Sequence, residues 1–176
     1  MKTAIRITFP LFVLAAVAAV VGFFAPACSV STGRSLSLSE AMTVIYRFRD
    51  SSMPPEYHRS YTITVTRRKV ELVVDSYGKV LSETHRNMTE EEFSQILDAI
   101  RAAGIGRQFE LATGSRCTGG TTESLKLLNG EKVIFDGTAY RCGNDRFGNL
   151  AGDTSAVQKR LVRIFPDFEE HLNTDL

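Results

Sequence analysis

The residues with chemical potential gather in two glycine-rich stretches around the second and third of three cysteines. One, Thr113 to Ser124 (TGSRCTGGTTES), carries Arg116 and Cys117. The other, Arg141 to Asp153 (RCGNDRFGNLAGD), carries Arg141, Cys142, Asp145, Arg146 and Asp153. Zinc sites usually take four ligands, and these cysteines have neither C-x-x-C spacing nor a nearby histidine. A disulfide between Cys117 and Cys142 is the better reading for an exported chain, and closing such a loop contributes ~3 kcal/mol. It would bring together arginines, hydroxyls and backbone N–H groups, a composition that recognises an anion or a peptide end. The same glycines also serve two tight loops with no ligand.

A third candidate is SSMPPEYHRSY, Ser51 to Tyr61. Pro54 and Pro55 stiffen an exposed connection that presents Tyr57, His58 and Arg59, residue types suited to protein contact. The plainer reading is a proline-braced strand connector. G-x-S-x-G, phosphate-loop and calcium-loop spacings do not occur. No catalytic residue, metal ligand or cofactor is therefore assigned. A hydrolase would have to use His58 or the Asp145 and Asp153 carboxylates. Its signature would be a concave pocket holding a histidine within reach of a carboxylate or hydroxyl.

Charge narrows the partners. Lys and Arg number 21 against 20 Asp and Glu, a formal net charge of +1. That balance offers no electrostatic footprint for nucleic acid.

The N-terminus gives an address. Lys2 and Arg6 precede an uncharged apolar block, Leu11 to Phe24, which ends in Ala25-Pro26-Ala27-Cys28. The block is shorter than the ~20 residues a membrane span requires, and an A-x-A tripeptide suits signal peptidase. A cysteine directly after that small residue resembles the lipobox of bacterial lipoprotein precursors, although Ala25 and Pro26 stand where that motif usually has Leu and a residue other than proline. The resemblance covers the first 28 residues. It implies that Cys28 is lipidated and becomes residue one of a membrane-anchored, envelope-facing protein. Plain secretion and an uncleaved anchor are the alternatives. Residues 28–40 (CSVSTGRSLSLSE) have the composition of a flexible tether. The expected organisation is signal peptide 1–27, tether 28–40 and one domain, 41–176.

Several elements must build that domain. AMTVIYRFR, YTITVT and KVELVVD alternate apolar and polar residues, the pattern of half-buried strands. Lys79 to His85 reads as a polar edge strand. MTEEEFSQILDAIRAAG carries Thr89 and Glu92 at capping-box spacing, Met88 and Phe93 at staple spacing, and Gly104 as a stop. Its Glu90-Glu91-Glu92 run complements the helix dipole without a metal. Asn129-Gly130 and Asp136-Gly137 read as hairpin turns, giving three short strands that end at Cys142. Asp153-Thr154 opens a second helix that ends before Pro166, and FEEHL adds a further turn. The order β-β-β-β-α-β-β-β-α predicts an α+β fold: one curved antiparallel sheet with helices packed on one face. On these grounds the domain is expected to be a non-catalytic binding module for an envelope protein or small ligand, with an envelope hydrolase and a secreted or structural assembly protein as alternatives.

Overall fold

In the computed structural model the described residues are 38, 41–111 and 119–174; of residues 109–111 only the backbone is described. Eight strands form a single open sheet among them: β1 (Thr43–Arg49), β2 (Ser60–Thr66), β3 (Lys69–Ser76), β4 (Lys79–Asn87), β5 (Gly106–Leu111), β6 (Thr121–Asn129), β7 (Lys132–Cys142) and β8 (Asp145–Ala151). Three helices accompany them: α1 (Glu90–Ala102), α2 (Thr154–Val162) and α3 (Phe168–Leu172). The strand order is β4-β3-β2-β1-β6-β7-β8-β5, antiparallel throughout. The class is α+β, dominated by the sheet.

The alternation in the first four strands sets the register. Val44 lies opposite Val65 and Leu127, and Tyr46 opposite Ile63 and Leu125. Ile63 in turn faces Leu72. All of these are buried, so one face of the sheet lines the core while Thr62, Thr64 and Lys126 point the other way. β4 is mostly exposed, as an edge strand rich in charged and hydroxyl residues should be.

Helix α1 begins at the expected cap. The Thr89 hydroxyl accepts the Glu92 N–H at 3.2 Å, and the Glu92 carboxylate accepts the Thr89 N–H at 2.8 Å. Met88 and Phe93 are buried on either side of the cap, and Gly104 follows the helix with φ +61°. In α2 the Asp153 carboxylate accepts the Ala156 N–H at 3.0 Å. Val157 and Leu161 enter the core, joined by Phe165 and Phe168 beyond the helix.

The second half differs from the sequence expectation. It holds four strands rather than three. Asp136-Gly137 is not a turn but lies inside β7, where Gly137 is absent from the left-handed residues. A Cβ there would lie 2.9 Å from Phe135 Cζ and 3.1 Å from Leu150 Cδ1, so this glycine makes room for packing. The actual turn before β7 is Gly130-Glu131, with Asn129 opposite Lys132. The stretch read as a glycine-rich loop after Cys142 is a hairpin: Gly143-Asn144 turns β7 into β8. Strand β5, unanticipated, pairs with β8 at the other edge.

Candidate functional site

A cleft of ≈ 600 Å³ opens where β1 ends, β2 begins and β3 turns into β4. Arg47 and Arg49, two apart on β1, fall on the same side of that strand. Asp50, Ser51 and Ser52 follow them. Ser60 and Thr62 come from β2, and Asp75, Tyr77 and Gly78 from the β3–β4 hairpin. Antiparallel pairing assembles the group: Arg47 lies opposite Thr62, and Ser60 opposite Asp75.

The polar groups of the cleft are unequally occupied. Asp50 spends its oxygens on backbone, accepting the Ser51 N–H at 2.8 Å and the Arg59 N–H at 3.0 Å. Asp75 accepts the Gly78 N–H at 2.8 Å. Among the described residues neither aspartate pairs with an arginine. Arg47 donates from Nε to the Thr62 hydroxyl at 3.2 Å, and Arg49 has no carboxylate partner among the described residues.

His58 is the most informative side chain. It is only 3% exposed, and its Nε2 lies 3.3 Å from the Ser60 hydroxyl. That hydroxyl also accepts the Asp50 N–H at 3.0 Å, and with a proton and a second lone pair left it can serve Nε2 in either tautomer of the ring. The other ring nitrogen, Nδ1, is buried and without a hydrogen-bond partner. The Tyr77 ring covers His58 at a centroid distance of 3.9 Å and donates its hydroxyl to Met53 O at 2.7 Å. Tyr77 has φ +50° and Gly78 φ +88°, so the two form a turn in which both central residues are left-handed. Asn, Asp or Gly normally takes the first place. A tyrosine there costs roughly 1–2 kcal/mol.

The residues singled out from sequence scatter. His58 lines the cleft, whereas Tyr57 is 65% exposed outside its lining. Arg116 and Cys117, like Cys28, lie outside the described residues. Cys142 is engaged rather than free. Arg141 turns to the buried Glu123, with Nε at 3.3 Å and Nη2 at 3.4 Å from its carboxylate, and Nη2 also reaches the Thr154 hydroxyl at 3.0 Å. The Thr154 hydroxyl donates to the same carboxylate. Arg146 donates to Gly152 O at 3.0 Å, and its Nε and Nη2 are buried without partners. Asp145 is exposed beside the hairpin turn, and Asp153 is the α2 cap. Neither lines the cleft, so these carboxylates do not join His58 there.

Arg47, Arg49, Ser60 and Tyr77 escaped sequence reasoning as site residues. The paired arginines on the polar face of β1 and a Tyr-Gly turn were the available signals. Nearby, burial pushes the Tyr61 phenol up to about 12, and it pushes Tyr46 well above the ordinary tyrosine range. The Tyr61 hydroxyl is 2.6 Å from Gln158 Nε2, so this tyrosine braces β2 against α2.

Among the described residues no His, Cys, Asp and Glu cluster is arranged to hold a metal, and no helix is long and apolar enough to cross a membrane. No protein-family model matches the chain, and no curated protein or solved structure matches it at a significant level.

Proposed function

We propose that this is a lipid-anchored cell-envelope protein whose folded domain is a non-catalytic binding module. The observation that carries the binding reading is the cleft at the ends of β1 to β3, concave and lined by polar side chains of unused capacity. The lipobox-like segment ending in Cys28 and the serine-rich tether support the address. A Cys117–Cys142 disulfide belongs to the same reading. We also infer that the helices share one face of the sheet. Tyr61, which meets Gln158 and Phe168, and Ser82, which meets His171, lie on the same side through Val74.

A hydrolase finds one supporting observation, the His58–Ser60 contact within a concave cleft. Against it, Ser60 is 5% exposed and His58 Nδ1 has no carboxylate to orient it. The contact acts as an internal latch, and binding is the stronger reading.

Two measurements test this. Mass spectrometry of the mature N-terminus should find an acylated Cys28; a chain beginning with a free Cys28 thiol, or retaining Met1–Ala27, would sink the anchor. Native mass spectrometry of the chain isolated from its own membranes should show a bound species that disappears when Thr62→Trp fills the cleft. Identical spectra for the two proteins would remove the binding reading.

A further inference from the structure

Deepening the binding reading, and resting on it, we infer that the cleft recognises an oxyanion, a phosphate ester or a carboxylate, carried on an apolar or aromatic body.

Four observations converge. First, Arg47 and Arg49 line the cleft together, and neither is neutralised by a carboxylate among the described residues. Guanidinium groups bind oxyanions through charge-assisted, often bidentate, hydrogen bonds. Second, the two carboxylates of the cleft, Asp50 and Asp75, accept backbone N–H groups of their own loops rather than pairing with the arginines. Third, His58 is almost fully buried in the cleft wall, and its Nδ1 has no hydrogen-bond partner. Such an orphaned polar atom costs about 1–3 kcal/mol, and an oxyanion satisfies it when Nδ1 carries the ring proton. Fourth, Tyr77 covers His58 with one ring face yet remains 59% exposed, held at a left-handed backbone position. Strain of this kind persists where surrounding structure or function requires it. The outer part of the ring offers an apolar wall for the body of the ligand, beside the arginines that seat its charge.

The arrangement supplies no leaving-group or nucleophile chemistry, so the inference concerns recognition alone. The cleft is open, and the anion reaches Arg47 and Arg49 without rearrangement; reaching His58 requires the Tyr77 ring to move aside.

The test is calorimetric titration of the full-length chain in detergent with phenyl phosphate, benzoate and the neutral benzyl alcohol, alongside NMR detection of arginine Nε–H signals. At least one of the two anions should bind saturably and shift the Arg47 and Arg49 signals, and whichever binds more tightly identifies phosphate or carboxylate as the group recognised. Arg47→Gln with Arg49→Gln should weaken that binding by about tenfold per arginine, with the urea midpoint unchanged. Benzyl alcohol binding as tightly as the anions, or a double variant as tight as the natural protein, would overturn the oxyanion claim while leaving a binding cleft in place. Failure of both anions to bind also overturns it. The broader binding reading falls separately, through the membrane-isolated spectra of the Thr62→Trp variant.

Discussion

Two buried polar groups on this sheet have opposite fates. Glu123 on β6 is 4% exposed, and its carboxylate is matched by Arg141 and Thr154. His58, before β2, is 3% exposed but only half matched, with Nε2 served by Ser60 and Nδ1 by nothing. A saturated buried charge ties β6, β7 and the start of α2 into one unit. An unmatched imidazole nitrogen beside a cleft leaves interaction capacity over. The same degree of burial thus accompanies a fully matched carboxylate in one place and an unmatched ring nitrogen in the other, and the count of matched polar atoms tells them apart.

That distinction can be broken by measurement. Glu123→Ala strands Arg141 and the Thr154 hydroxyl, and should lower stability by about 2–3 kcal/mol, read from urea denaturation. A loss below half that figure would mean the cluster is not a structural tie. Ser60→Ala removes the acceptor for the Asp50 N–H and the partner of His58 Nε2, and should cost about 1–2 kcal/mol. Next, His58→Phe keeps a ring under Tyr77 and removes the orphaned nitrogen, so the change should stay under about 1 kcal/mol. If it cost as much as Glu123→Ala, His58 would belong with the structural group. The smallest effect tests a control outside both regions. Glu92 has its carboxyl held below the ordinary range, first by the Arg86 hydrogen bond and then by the Thr89 N–H. Its folded form therefore favours the charge, and the stability it adds is present above the unfolded pKa and lost as pH falls through the folded one. Glu92→Gln should flatten the acid limb of a stability profile slightly; an unchanged limb would discard this contribution.

Strands β1 to β4 and helix α1 were legible because each announces itself locally. Val70, Leu72 and Val74 alternate with polar residues, and Thr89 and Glu92 stand at the spacing of a reciprocal cap. β8 was hidden because its glycine and polar residues (DRFGNLA) resemble a loop, and only pairing with β7 and β5 makes it a strand. Asp136-Gly137 has the letters of a turn, yet there the glycine is selected by the Phe135 ring and Leu150, a packing demand that no local window displays. The cleft was mostly illegible for a similar reason. Its lining comes from the end of one strand, a proline loop, the start of a second strand and a hairpin, and cross-strand register alone unites them. His58 was named from sequence; its burial and its missing partner are three-dimensional facts.

The central place of β1 has a consequence for assembly. It is the first strand of the domain, but one of its two neighbours is β6, which follows only after four more strands and a helix. As the chain emerges, β1 to β4 can zip through short hairpins, leaving the far side of β1 with a row of vacant N–H and C=O groups. That row is sealed only when β6 arrives, at the greatest loop-closure cost in the sheet. Until then it is a template for pairing with another chain. The β1–β6 seam should therefore be the late, slow step of folding and the point at which nascent molecules are most exposed to aggregation.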